Sequence, residues 1–398
     1  MKTRHFLMSG RMVILGLCWA MGGLAVAAPP LPPIPIGAIS SLTGGPDGFS
    51  QSGLAAKAVF DSVNASGGIQ KRKLVFLQED DKGEPGGALQ AAARLINENK
   101  VVAMAGGASF LECGLNADAY LEKGLVSLPG LALDGRCFVS PMISPVSAGP
   151  YVQLELGLRF AAERLKAQKL CVMRLGTPVN VQKAFDAVVR DWIAKTGKSP
   201  VLDERDIKTS DSPDDYLKHA RQAGCDAIVF AGSESFSMRF ARAANSTFKG
   251  SIALIFLGSA YTVQVAEELG SAGEGIYALS EFEPWSSRSG ALSDWRNLMN
   301  TSKLPVTSSS QGGYVAAQVL VRVLRSIRSE INRESVTQAF RQLHPYDVPM
   351  LGMPFSFGAG PSHHPNRAAI PMQLSGGRWR IAHFDWIKPL SVAEPGRQ

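Results

Sequence analysis

Two parallel-sheet α/β lobes are expected from this sequence, on three observations. Short apolar runs alternate with amphipathic segments from Ile34 onward. The alternation breaks off and restarts near Tyr151. After Gly290 the texture changes to three helical runs followed by hairpin-like strands. Strands alternating with helices of about 3.6-residue period imply βαβ units around a parallel sheet. A restart implies a second sheet, not a longer one.

At the amino end, "MKTRHFLMSGRM" holds Lys2, Arg4 and Arg11 and no acid. An apolar run follows, closing on the small-x-small site "AVA" at 25–27. This predicts a secretory signal peptide over residues 1–28, cleaved near Ala27. The run is short for a membrane span, which takes about 20 apolar residues. Leu17 stands where a lipid-anchor motif around Cys18 wants a small residue. "PPLPPIP" comes next, a proline-rich leader with no core to bury.

"IPIGAIS" reads as the first strand. "FSQSGLAAKAVFDSVNAS" reads as a helix with Leu54, Ala58, Val59 and Val63 at helical spacing. Gly67-Gly68 end it, because glycine accepts the left-handed conformation that stops a helix and reverses the chain. "KLVFLQED" is the next strand. Its end, Glu79-Asp80-Asp81, lacks the D-x-D-x-D-G pattern of a calcium loop, so these acids are expected to hydrogen-bond the neighbouring loop. "GGALQAAARLINENK" is helical and "VVAMAGG" a strand.

In the second series, "YVQLELGLRFAAERLKA" is a helix, "KLCVMRL" a strand and "VQKAFDAVVRDWIAKTG" a helix. Ser212 caps another helix with Pro213 in its first turn. "DAIVFAGS", "IALIFLGS" and "GIYALSEF" continue as strands with helices between them. The tail reads as helices "LSDWRNLM", "GGYVAAQVLVRVLRSI" and "RESVTQAFRQL". Strand-like "FSFG", "AIPMQL" and "RWRIAHFD" follow, with His363-His364 in a solvated loop.

The chain has 398 residues and a formal net charge of +7. Setting aside Lys2, Arg4 and Arg11 leaves 38 basic against 34 acidic residues, a net charge near +4. That mild and scattered charge does not imply nucleic acid. Export permits disulfides. Cys113 with Cys137 is the local pairing and closes a loop worth roughly 3 kcal/mol. Cys171 and Cys225 are left as either buried thiols or a bond. No cysteine pair has metal spacing. "GGASF" and "GSESF" are not nucleophile elbows, and no phosphate-loop or dinucleotide motif occurs. Neither an enzyme, nor a cofactor, nor a metal is therefore expected.

Ligands of open α/β sheets bind outside the carboxyl ends of the strands. The loops there are at 40–49, 79–87, 106–114 and 129–135, then at 176–180, 232–236 and 258–262. Most combine glycine with serine or threonine. They serve equally as a hydrogen-bonding pocket or as plain turns.

The run from "IGAISSLTGGPDGF" through "NASGGIQKRKLVFLQEDDKGEP" to "VVAMAGG" resembles the amino-terminal signature of the leucine/isoleucine/valine-binding family. These are type I periplasmic solute-binding proteins of ABC transporters. "EGIYALSEF" and "GGYVAAQVLVRVL" extend the resemblance over nearly all of the mature chain. It implies Rossmann-like lobes joined by a three-segment hinge, with crossings near 144–150, 281–285 and 345–354. The first lobe would comprise 34–146 plus 283–347, the second 147–282 plus 348–390. It also implies a periplasmic monomer that captures a small organic solute, amino-acid-like, amide or aromatic acid, for an inner-membrane ABC permease.

The family's binding positions fall here on Ser109 and Phe110, then on backbone groups of Leu131 and Ala132, where the usual hydroxyl is missing. In the second lobe they fall on Asn180, Ser233, Glu234 and Tyr261. The carboxylate that pairs with an amino acid's ammonium is absent around Tyr261, and a buried unpaired ammonium costs several kcal/mol. This favours a solute without one. A periplasmic sensor of the same fold remains an alternative reading, as does a secreted α/β enzyme.

Overall fold

The computed structural model describes Met1 and residues 31–45, 48–177 and 179–390. The signal-peptide reading of residues 1–28 otherwise lies outside the described residues. No described helix is long and apolar enough to cross a membrane.

The first sheet is wholly parallel. β1 (Ile34–Ser40) lies between β2 (Leu74–Asp80) and the pair β3 (Ala103–Ala105) and β4 (Ala108–Ser109). β3 and β4 follow one another along β1, which they meet at Ile36–Gly37 and at Ser40. β5 (Ser127–Leu128) and β6 (Leu131–Ala132) pair with them in turn. Helix α1 (Gly48–Ala65) ends at Gly67 and Gly68, both at positive φ. Any Cβ on Gly68 would collide with the Arg72 carbonyl. Asn64 fixes the reversal by bonding both the N–H (2.7 Å) and the C=O (2.8 Å) of Leu74. α2 (Pro85–Ala93) and α3 (Glu112–Glu122) complete the connections.

The second series begins with α4 (Gly149–Arg159). It builds β7 (Leu170–Leu175), α5 (Val179–Thr196), β8 (Leu202–Ile207), α6 (Pro213–Ala223), β9 (Ala227–Ala231), α7 (Glu234–Phe248), β10 (Ala253–Phe256), α8 (Val263–Leu269) and β11 (Tyr277–Ser280). Then come α9 (Ser293–Thr301), α10 (Ser308–Ser326) and α11 (Arg333–Arg341). The chain closes with β12 (Ile370–Ser375) and β13 (Arg378–Ile381). The second sheet runs β13-β12-β11-β10-β9-β7-β8, with β12 antiparallel to both β11 and β13 and the other pairs parallel.

The chain thus leaves the first sheet after β6, leaves the second after β11, and returns to it at β12. Between those points α10 packs on α1, and Arg333 of α11 bonds the carbonyls of Val101 (2.7 Å) and Ile96 (2.5 Å). Residues of the three passages are laced together. Glu281 accepts from the N–H groups of Ala148 (2.9 Å) and Gly149 (3.2 Å). Asn366 donates to the carbonyls of Val146 (3.0 Å) and Glu281 (2.8 Å).

Two details differ from expectation, and the open question of Cys171 and Cys225 is answered. "FSFG" is no strand; Phe355 forms only an isolated bridge with Tyr346. His363 and His364 are not solvated. His363 stacks on Phe357 at 3.8 Å and meets the Pro141 carbonyl, while His364 meets the Ala148 carbonyl at 2.8 Å. Cys171 and Cys225 are bonded, as are Cys113 and Cys137.

Candidate functional site

The carboxyl-end loops of both sheets converge on the crossing segments. Tyr151 marks the meeting place. Its hydroxyl reaches the Leu133 carbonyl beyond β6 at 3.4 Å, and its ring lies 4.9 Å from Phe185 of α5. On the second crossing, Trp285 stacks on Tyr261 beyond β10 at 3.7 Å.

In the first lobe, Asp80 organises the loop after β1. It accepts from the N–H groups of Leu42 (3.0 Å), Thr43 (3.2 Å) and Lys82 (2.9 Å) and from the Thr43 hydroxyl (2.7 Å). Burial is the largest single influence and opposes ionisation, but these bonds together outweigh it and hold the carboxyl below its ordinary range. The acids at the end of β2 do bond the neighbouring loop.

Ser109 stands differently from expectation. Its hydroxyl donates to Asp81 and accepts from the N–H groups of Leu111 and Glu112, both at 2.9 Å. One donor and two lone pairs are all a hydroxyl has. It shapes the loop and keeps nothing for a solute. The N–H groups of Leu131 and Ala132 are committed too. Leu131 donates to the Gly107 carbonyl at 3.3 Å, and Ala132 to the Ser147 hydroxyl at 3.0 Å. Only the Phe110 ring stays open, 43% exposed and 4.8 Å from Phe49.

Beneath this loop lies Glu112, fully buried, accepting from Tyr120 and Ser127 at 3.0 Å each. Burial pushes its carboxyl up to about 7, against those two bonds, and Asp81 nearby adds to the rise.

In the second lobe, Ser233 is exposed and caps α7 by accepting from Phe236 N–H at 3.4 Å. Ser259 ties the adjoining loop to the Gly232 carbonyl at 2.7 Å. Glu234 already has a partner. Asn180 lies in the first turn of α5, and its side chain lies outside the described residues. Tyr261 is not an open edge. It is buried between Trp285 and Trp379, and burial raises its hydroxyl well above the ordinary range. Trp285, partly exposed, takes the surface position instead.

Two hydroxyls escaped the sequence reading. Ser41 Oγ after β1 and Thr177 Oγ1 after β7 are buried and find no partner among the described residues. An unpaired buried hydroxyl costs about 1–3 kcal/mol. In sequence, Ser41 and Thr177 look like their bonded neighbours Ser40 and Thr43, so nothing local singles them out.

A hollow of about 500 Å³ lies elsewhere, lined by Pro35, Val102, Arg72 and Arg333 at the amino ends of β1 and β3. Its arginines are spent on backbone carbonyls, Arg72 on Pro32 (2.7 Å) and Pro33 (3.1 Å). It is not the interlobe site.

The profile of one family, "Periplasmic binding protein", matches residues 33–378. The chain belongs to this family. Solved structures agree in fold. A branched-chain amino acid transporter substrate-binding protein from Streptococcus pneumoniae, in complex with isoleucine, is 17% identical with a TM-score of 0.72, covering 90% of this chain and 100% of that one. A fatty acid ABC transporter substrate-binding protein from Thermomonospora curvata is 17% identical at 0.73, covering 88% and 91%. A solute-binding protein of an ABC transporter from R. palustris, in complex with benzoate, is 17% identical at 0.70, covering 91% and 98%. No curated protein matches the sequence. The type I periplasmic binding protein fold accounts for the two sheets and for the crossings laced at Glu281.

Proposed function

We propose that this protein is a periplasmic solute receptor that delivers a small organic solute to an inner-membrane ABC permease, without covalent chemistry. The solute has an apolar or aromatic body and a neutral or anionic polar end, and no ammonium. One observation supports this most: four acids around the cleft loops and the crossings are already spent. Asp80 binds its own loop, Asp81 binds Ser109 and Gly83, Glu112 binds Tyr120 and Ser127, and Glu281 binds the first crossing. A buried ammonium would meet no free counter-charge among them. Exposed apolar side chains also stand on these loops: Leu42, Phe110 and Val179. Fatty acid and benzoate recognition among proteins of this fold fits such a lining.

Calorimetric titration decides the matter. Benzoate is expected to bind more tightly than leucine, isoleucine or valine. Micromolar binding of any of the three amino acids would overturn the assignment of solute class.

A further inference from the structure

The three passages between the lobes meet at one residue, Glu281. Glu281 Oε2 takes three hydrogen bonds, from Ala148 N–H, Gly149 N–H and the Gln153 side-chain amide (3.1 Å). The Glu281 carbonyl also receives Asn366, which holds Val146 as well. Gln153 does not stop there. Its Oε1 accepts from the N–H of Gly258, the first residue of the loop after β10. Both ends of one side-chain amide are therefore used. One end reads the hinge and the other holds a loop at the mouth of the second lobe. Gln153 is 4% exposed on α4, packed where it cannot swing to other partners. A Cβ on Gly258 would come within 2.9 Å of Gln153 Oε1, so the loop backbone is seated directly on the amide.

We propose that Gln153 is a positioning residue that couples the setting of the hinge to the loop at 258–262. When Glu281 shifts with the crossing segments, the amide shifts or loses a bond, and Gly258 is released or re-aimed. Residues 258–262 include Ser259, which pins Gly232, and Tyr261, which supports Trp285. The purpose of this link rests on the solute-receptor reading: it makes the second-lobe half of the site depend on hinge position. The link itself is a property of the chain without solute, and its test contains none.

The test is hydrogen–deuterium exchange of the peptide spanning 257–263 in the mature protein. Four forms are compared: unchanged, Glu281→Ala, Gln153→Met and the double variant. Besides Gln153, Glu281 can reach 258–262 through β11, which packs on residues 258–260, and through the chain leading to Trp285. Glu281→Ala is expected to accelerate exchange in 258–262 several-fold. In the Gln153→Met background the same change is expected to add nothing. A merely structural Gln153 predicts independent, additive effects. The proposal is overturned if Glu281→Ala leaves the loop at its original rate. It is equally overturned if the acceleration persists with Gln153→Met, since the coupling would then run through β11 or through Trp285 on Tyr261. Should the alanine variant fail to fold, Glu281→Asp withdraws the carboxylate by one methylene and the same pair of outcomes applies.

Discussion

Glu112 holds a buried carboxyl directly under the loop shaped by Ser109, and its titration has a readable sign. Its folded pKa of about 7 lies above its ordinary value of 4.5. Between those values the folded chain holds a proton that the unfolded chain has lost. Stability therefore falls as pH rises from 4.5 to 7 and is flat beyond. His364 acts oppositely. Burial, against its bond to Ala148, lowers it to about 4 from 6.5, so the unfolded chain gains a proton that the folded one refuses. Its contribution is lost as pH falls from 6.5 to 4. The two slopes oppose each other between 4.5 and 6.5. Glu112→Gln should remove one of them. Urea denaturation at pH steps from 4.5 to 7.5 is expected to show the variant gaining on the parent as pH rises, by up to about 3 kcal/mol at pH 7.5. A constant difference across that range would mean that Glu112 does not titrate there.

At the scale of elements, the closest contact in the first lobe is between α1 and α10. Gly313 of α10 sits on the Ser52 carbonyl of α1, and Gly312 on the Gly130 carbonyl. Ser52 in turn donates to the Gly106 carbonyl at 2.8 Å. Backbone atoms on both sides leave no soft group to give way. Gly313→Ala is expected to cost about 1–3 kcal/mol despite alanine's better helix propensity. Chemical denaturation checks it, and an unchanged midpoint would show that the helices separate freely. The strong periods of such elements were legible in the sequence: "IPIGAIS" is β1, and the helices that were expected after it fall within a few residues of their places, while α3 was not among them. β8 was not legible, because its "LDERDI" is an edge strand with mostly partly exposed or exposed residues and no apolar run. β4, β5 and β6 have two residues each, too short for any period to show. The site was less legible than the fold. Ser109 was visible as a hydroxyl in a glycine-rich loop, but its partner Asp81 comes from another loop 28 residues earlier. Whether a polar group is free depends on such distant partners, and spacing along the chain does not report them.

Over the whole molecule, the apolar interior bears on how the lobes come apart. One continuous cluster joins Ile36, Phe60 and Leu128 of the first sheet's surroundings to Val229, Ile255 and Leu279 of the second sheet. The connection runs through Phe138, Tyr151, Leu154 and Leu158 around the first crossing and α4. A second cluster, with Phe230, Phe240 and Phe256, lies on the other face of the second sheet only. Had each lobe owned a closed core, melting one would leave the other intact, and two transitions would follow. Here the loss of α4 from the second sheet exposes apolar surface on both sides of the hinge at once. Each buried large aliphatic side chain so exposed costs roughly 1.5–3 kcal/mol, and several are shared. A single cooperative transition is therefore expected in scanning calorimetry of the protein, with the calorimetric and van't Hoff enthalpies agreeing. A solute gripped by both lobes should raise that one transition without splitting it, by about 2.7 kcal/mol of added stability at a hundredfold excess over its dissociation constant. Two resolved peaks without solute, merging on its addition, would show instead that the lobes are independent and that the solute, not the shared core, joins them.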